Sequence, residues 1–540
     1  MPKKFRNMLL VYPEFSPTYW GLQYSLPFIE RKAVMPPLGL ITIAALTPGD
    51  YEFKLVDMNC EPLLDSDLEW ADIVLISAMI PQKATSFKAA DRARRARKLV
   101  VFGGPYPTAC PEECKPHFDV LVMNEGEITW PMFLKDLEKG SYSDVYTSEE
   151  KPDITKSPCP RYDLLNYSYY AVIPIQFSRG CPFLCEFCDI IVMYGRVPRT
   201  KTPAQVLKEL DTIYELGYRG LVFIVDDNFI GNKKKAKEFL PELKAWNEAH
   251  NHPYHYSTEA SINLADDEAL MKSMREAGLV RVFIGLESPV EDSLKEVRKT
   301  QNLNGSLLDK IKIIQKSGFT VNGGFILGFD TDPHDIFERQ INFINEAAIP
   351  SAMIGPLVAL PGTPLFKRIK KEGRLLEDDL DEQRTVASGF TNIDTKMPLR
   401  TLLSGYADIV KNLYTPKSYF KRSLGALRQI DKLTAQKLSF SSNNKEQVAS
   451  NWMIINLWQR TKLLLPLLKK FPLGYRLEAS KFAFRVIIER PEHLGRAIDL
   501  IVIGYHYYMF TFKHVLPEIE VSLQDKETIR QVIREELLLS

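Results

Sequence analysis

The stretch SRGCPFLCEFCDI, residues 178–190, places Cys181, Cys185 and Cys188 in a C-x3-C-x2-C spacing, in a chain with seven cysteines among 540 residues. Three crowded thiols pose a question of valence, because a tetrahedral metal site takes four ligands. Structural zinc sites show paired C-x2–4-C or H-x3–5-H steps, and no second pair follows. Cys110 and Cys114 (ACPEEC) lie far upstream, with nothing nearby to complete a knuckle. A catalytic thiol needs one cysteine, not three. Three thiolates can hold three irons of a [4Fe–4S] cube and leave the fourth iron open to a chelating small molecule. Zinc and chance crowding are the readings this spacing disfavours.

The cysteines follow a candidate strand, AVIPIQFS (171–178). Further candidate strands cover 220–228, 253–261, 280–288, 320–330 and 352–360, with helical stretches at 203–216, 233–249, 266–277, 290–298, 305–317 and 333–347. Such alternation predicts a partial or full parallel barrel, with ligands at the carboxyl ends of its strands. Those ends hold Asp226 and Asp227, Glu259, Glu287 and Ser288, and Asp330. Each acid has a plainer reading, as a turn residue or a solvated strand end in a salt bridge.

Upstream, short apolar runs at 7–13, 51–58, 72–80, 98–104 and 118–127 alternate with helical stretches at 37–46 and 84–98. Short buried runs separated by helices indicate a second parallel sheet covered on both faces. Gly103 and Gly104 fall at a strand end, where bare backbone lets a bulky ligand approach, or simply makes a turn. A polar, proline-bearing stretch at 141–160 reads as a linker. Beyond residue 400 the texture turns helical. WMIINLWQRTKLLLPLLKKF (452–471) has the cation-flanked apolar character of an interfacial helix or of a packed cap. The run at 497–516 contains Asp499, His506 and Lys513, so a buried helix is expected rather than a membrane span. This region is expected to cover the barrel mouth, with His506 and His514 as core or surface residues. The divisions are 1–145, a linker at 146–165, 166–385 and 386–540.

A formal net charge of +1 gives no basic field for nucleic acid. Sparse cysteines in an odd number argue against a disulfide framework and for a reducing cytoplasm. MPKKFRNMLLVYPEF reads as a first strand, not a signal peptide, and no long uncharged apolar run predicts a membrane-spanning helix.

The motifs also carry a family resemblance. SRGCPFLCEFCDIIVMYGRVPRTKTPAQVLKEL resembles the radical S-adenosylmethionine (SAM) domain of the cobalamin-binding members of that superfamily, and GGPYPTACPEE and NEGE resemble their cobalamin-binding domain. FCDII, GRVPRTK and FIVDDNFIGNKKKAKEFLP look most like the hopanoid C-2 methylase group. Tyr106 stands where many relatives have His, and the D-x-H-x-x-G motif is absent, which points to cobalamin bound without a histidine on cobalt. The resemblance implies an α/β fold: a Rossmann-like cobalamin-binding domain, a partial (β/α)6 barrel and a helical C-terminal domain. It implies that Cys181, Cys185 and Cys188 bind a [4Fe–4S] cluster, that the backbone of Phe187 lies near the adenine of SAM, and that Glu259, Glu287 and Ser288 contact SAM. Gly323, Gly324 and Ile326 fall on the strand that flanks adenine, and Gly103 and Gly104 lie at the cobalamin. The implied reaction cleaves SAM to a 5′-deoxyadenosyl radical and passes a methyl group through cobalamin to an unactivated carbon, with a hopanoid-like lipid as one acceptor. A reducing donor such as flavodoxin or ferredoxin, a small-molecule or lipid substrate and peripheral membrane contact come with it. The alternatives are a radical SAM enzyme catalysing a non-methylating cyclisation or oxidation, and a non-enzymatic corrinoid or iron–sulfur binding protein.

Overall fold

Met8, Leu9, Leu10 and Val11 are wholly buried, as an apolar run must be when both faces of its strand are covered. The computed structural model describes residues 5–49, 51–376, 391–430, 464 and 466–524. The first sheet contains β1 (Asn7–Tyr12), β2 (Glu52–Asp57), β3 (Ile73–Ser77), β4 (Leu99–Gly103), β5 (Val120–Val122) and β6 (Val145–Tyr146). All pairs are parallel, in the order 2-1-3-4-5-6. The chain changes direction across the sheet between β1 and β3, and the crevice at their carboxyl ends is where such sheets bind ligands. Two details depart from the sequence reading. The run 118–127 yields a three-residue strand, because helix Gly126–Lys139 has already begun at the second acid. The polar stretch at 141–160 contributes the edge strand β6.

The second sheet runs β7 (Val172–Ile175), β10 (Gly220–Ile224), β11 (Tyr254–Glu259), β12 (Leu279–Glu287), β13 (Thr320–Leu327) and β14 (Ala352–Pro356) in spatial order, all parallel. Between them β8 (Ser178–Arg179) and β9 (Arg199–Thr200) pair antiparallel and close the cysteine loop. Alternation sorts the side chains: Val282, Ile284 and Leu286 are buried under the helices, while Arg281, Phe283 and Gly285 face the lumen. A six-stranded barrel leaves a gap between β7 and β14, and residues 13–36 fill it. Ala33 bridges to Tyr170 beside β7, and the Tyr19 ring packs 5.6 Å from that of Tyr414, whose hydroxyl donates to Ala352 O on β14.

The C-terminal helices sit elsewhere than expected. Leu399–Tyr414 runs down the barrel side, while Pro416–Gln429 and Leu494–Phe510 close the amino ends of the strands, through Arg422 to Ile349 O and Arg496 to Gly318 O. They therefore plug the end opposite the mouth. Helix Leu494–Phe510 is buried, with His506 accepting from Tyr24 N–H and touching Thr18 O. Residues 452–463 and 465 of the amphipathic stretch lie outside the described residues. Among the described residues no helix is long and apolar enough to cross a membrane.

Candidate active site at the facing strand ends

The cysteine loop is held by its neighbours, independently of any ligand. Gly180 takes a left-handed backbone (φ 93°), where a Cβ would stand 2.9 Å from Gly195 O, and Cys181 N–H donates back to that carbonyl. Asp226 accepts from Phe177 N–H (2.8 Å) and Ser178 Oγ (2.7 Å), and Asp227 accepts from Gly180 N–H (2.8 Å). Both acids are therefore anchors of the loop, and burial pushes them up to about 7 and about 6. On the far side Glu186 pairs with Arg368 through both oxygens, at 2.9 and 3.1 Å.

All seven cysteines are free. Gln301 Nε2 donates to Cys185 Sγ (3.5 Å) and Asn228 Nδ2 to Cys181 Sγ (3.9 Å). Lys299 Nζ pairs with Glu287 at 2.6 Å and lies 5.7 Å from the Phe187 ring centroid. Burial pushes the Cys181 thiol up, and Cys188 up to about 12, so a metal has to displace their protons. Among the described residues no three His, Cys, Asp or Glu side chains converge on one ion position. On a cube each thiolate holds a different iron, so the donor set, its sulfur-directed hydrogen bonds and the nearby cation fit that group better than a single zinc ion.

Glu287 ends β12 at a bulge in left-handed backbone (φ 63°), and Gln340 holds its carbonyl at 3.2 Å. A non-glycine residue there costs about 1–3 kcal/mol, a strain characteristic of functional sites. Ser288 is buried directly beyond it. Gly324 faces the lumen, its absent Cβ 3.0 Å from the Phe283 ring, whereas Gly323 faces the helix layer against Phe325 and Leu286. Lower in the lumen, half-exposed Trp20 from the gap-filling segment packs 5.0 Å from Phe283.

Glu259 ends β11, where burial first and the Asp227 charge second push its carboxyl from an ordinary 4.5 to about 8. A carboxyl raised by folding contributes stability that is present below its unfolded value and lost as pH rises through its folded value. The metal-free protein should therefore melt at falling temperature between pH 5 and 8, with Asp226 and Asp227 adding in the same direction. Glu259→Gln should flatten that fall and raise the pH 8 melting temperature by a few degrees. Calorimetry showing an unchanged pH slope in the variant would count against a protonated Glu259.

At the first sheet, Gly104 has φ 95°, and a Cβ would meet Ser77 Oγ at 2.6 Å and Ala78 O at 3.1 Å. This leaves bare backbone at the ends of β3 and β4, and a separate cavity of about 350 Å³ opens at the ends of β1 and β2, between Glu14, Met58 and Glu61. Tyr106 does not stand in for a ligand. It is buried between Phe87 and Phe102, with its hydroxyl donating to Glu113 at 2.8 Å. His117, the one histidine among residues 1–165, stacks on Phe87. A corrin held without histidine fits these residues.

The two sheets meet carboxyl end to carboxyl end. Glu125, beyond β5, pairs with Arg179 (3.0 Å) and Arg199 (2.8 Å), and Glu127 pairs with Arg179 (2.7 Å). Burial opposes ionisation of Glu127, yet the hydrogen bond and charge of Arg179 hold it down to about 2. The arginines of this clamp, and Lys299, Gln301 and Asn228 around the thiols, escape sequence reasoning. The available signal was two buried-looking acids in NEGE that need cations, and an arginine inside the cysteine motif.

The description "B12 binding domain" matches residues 24–134, "Radical SAM superfamily" matches 175–344, and a domain of unknown function (DUF4070) matches 363–519. An uncharacterized methyltransferase of Synechocystis sp. is 40% identical over 531 residues, covering 98% of this chain and 94% of that protein. The hopanoid C-2 methylase of Rhodopseudomonas palustris is 37% identical over 422 residues, 77% of this chain and 78% of that protein. The solved cobalamin-dependent SAM radical enzyme OxsB superposes with a TM-score of 0.59 at 15% identity, over 97% of this chain and 81% of its own. The radical SAM methyltransferase TsrM of Kitasatospora setae gives 0.55 at 14%, over 68% and 78%. These two likenesses speak for the fold, which joins a cobalamin-binding sheet to a SAM-cleaving barrel. A [4Fe–4S] cluster, SAM and cobalamin are the cofactors, and a reductant and a small-molecule substrate complete the requirements. The chain belongs to the cobalamin-binding radical SAM family, is similar to its hopanoid C-2 methylase group, and is an enzyme of radical methyl transfer to carbon.

Proposed function

We propose that the acceptor is a hopanoid-type polycyclic lipid and that it lies in the lumen against Trp20 and Phe283. The observation carrying this reading is the apolar aromatic pair midway down a barrel whose mouth is ionic. When bound, the cluster with SAM supplies a carbon radical and cobalamin supplies the methyl group. Cys181, Cys185 and Cys188 hold the cluster. Gln301 and Asn228 donate to two of the sulfurs and stabilise their charge. Glu259 receives the ammonium of SAM and Ser288 a ribose hydroxyl, while Lys299 fixes the Glu287 carboxylate beside the thiols. Phe187 offers its backbone to the adenine, and Gly324, which lets the Phe283 ring lie close against β13, is on the strand that flanks it. Gly103 and Gly104 admit the corrin to the first sheet, and the Glu125 and Glu127 clamp sets its distance from the barrel mouth. A saturated polycyclic skeleton has no acidic C–H, so a radical step suits it and no acid–base pair is required of the chain.

The electron comes from a low-potential donor of the flavodoxin or ferredoxin kind. The enzyme works in the reducing cytoplasm, against a membrane face. Helix Leu473–Glu489 leaves Leu473, Leu477, Phe484 and Ile488 exposed along one side, a surface able to sit at a lipid interface. Domain divisions near 145, 165 and 385 go with this reading.

Expression in a hopanoid-making host that lacks its own methylase should yield a pentacyclic lipid heavier by one CH2, seen by mass spectrometry. Trp20→Ala should lower that product about tenfold or more, from loss of aromatic contact, while SAM cleavage without acceptor persists. If no lipid gains a methyl group while a tetrapyrrole or peptide does, the lipid assignment fails and methyl transfer stands.

A further inference from the structure

The closed end of the barrel holds a polar cluster that methyl transfer does not use. Three arginines cap main-chain carbonyls at the amino ends of successive strands. Arg275 donates to Leu279 O at β12, Arg496 to Gly318 O ahead of β13 (3.2 Å) and Arg422 to Ile349 O ahead of β14 (3.1 Å). Each leaves buried nitrogens unmet: Arg275 Nε and Nη2, Arg496 Nη1, and Arg422 Nη1 and Nη2. His255 on the inner face of β11 and His493 beside Arg496 each add an unmet ring nitrogen. The guanidinium of Arg275 is covered, the residue being 7% exposed. Arg281, His255 and Arg496 are partly covered as residues, while the unmet nitrogens of His255 and Arg496 are themselves buried.

The charges in this end repel one another. Burial first, then Arg275 and Arg496, hold His255 down to about 4, and burial with Arg496 and Arg490 holds His493 down to about 3. Burial and Arg281 lower Arg496 to about 10, and burial and Arg496 hold Arg275 well below the usual guanidinium range. Asp499 is the acid that faces Arg496. Buried cations are ordinarily paired, and a guanidinium with two free N–H edges is built for a planar or tetrahedral oxyanion.

We propose that Arg275, Arg281, Arg496 and His255 form a binding site for a phosphate-class oxyanion at the closed end of the barrel. Arg422 and Arg496 belong to the region 363–519, a domain of unknown function, and the anion gives that region a role in sealing the lumen. The anion is either free phosphate or the anionic end of the acceptor. Arg281 and Glu287 stand six residues apart on β12, about 20 Å along a strand, so an acceptor anchored here presents carbon at the mouth about that far from its charge.

The test is titration of the cofactor-loaded enzyme with inorganic phosphate at constant ionic strength, by calorimetry and thermal melting, with chloride as the reference. Saturable binding of one phosphate per chain, with a rise in melting temperature that chloride does not give, is expected. Arg496→Gln should weaken binding at least tenfold, and Arg428→Gln, at the exposed Glu489 pair, should not. Should Arg496→Gln fail to fold, the titration of the unaltered enzyme still decides. Phosphate that competes with acceptor in turnover assigns the site to the acceptor's terminus, and phosphate that leaves acceptor KM unchanged assigns it to the free ion. The absence of saturable binding overturns the site, and so does an equal loss in both variants.

Discussion

Cys181→Ala, Cys185→Ala and Cys188→Ala are each expected to give a folded chain that holds no [4Fe–4S] cluster and cleaves no SAM. The loop's shape does not depend on its thiols. Asp226 and Asp227 tether its entry, Gly180 packs on Gly195, and Glu186 is pinned by Arg368. Removing one sulfur therefore deletes a ligand without unfolding the site. The loss should exceed the ~10–100-fold typical of losing an outer-shell partner. Iron analysis and a 5′-deoxyadenosine assay on anaerobically reconstituted protein make the measurement. Cys60, Cys110, Cys114 and Cys159 should be replaceable by serine with full iron content. Cys110 and Cys114 are buried in the core of the first sheet, far from the loop. A full complement of iron in any of the first three variants would sink the assignment.

Gly104→Val should separate the two cofactors. Its φ of 95° is left-handed, and the added Cβ would meet Ser77 Oγ at 2.6 Å and main-chain atoms of Ala78 at 3.1 and 3.3 Å. A side chain can swing away, but the backbone of Ala78, at the end of β3, cannot. About 1–3 kcal/mol of strain is expected, together with displacement of the neighbouring strand ends. Cobalamin absorbance per chain should fall to near zero and methyl transfer with it. SAM cleavage should stay within a few-fold of the unaltered enzyme, since the cluster loop belongs to the other sheet. Gly103→Ala, with its Cβ 3.2 Å from Val122 O, should be milder. Stoichiometric cobalamin in Gly104→Val would show that the corrin does not rest there.

The parallel sheets were legible because their strands are covered on both faces. Runs such as NMLLVY and IVLIS stay apolar throughout instead of alternating. Helices were legible where period and caps agree, as at Thr202, whose side chain caps helix Pro203–Glu215. The cysteine motif was legible because its chemistry is local. What stayed hidden depends on partners far apart in the chain. Val145 and Tyr146 look like linker until β5 offers them an edge. Tyr106 reads as one residue of a strand-end turn, and nothing local says that Phe87 and Phe102 bury it. Glu125 and Arg179 meet 54 residues apart, and no window of sequence contains both. The C-terminal helices read correctly as helices, yet nothing local says which end of a barrel they close.

The segment that fills the barrel gap also sets an order of assembly. Tyr19 finds its hydroxyl partner, Thr511, only 492 residues later, which at ~5–20 residues per second is roughly 25–100 s of synthesis. Ser25 and Tyr24 likewise wait for Val502 and His514. Both sheets are complete long before then, with their carboxyl ends formed and the seam beside Trp20 still open. The wall of the reaction chamber is thus the last part to set. The contacts that close this wall therefore become available only after both sheets have been synthesised.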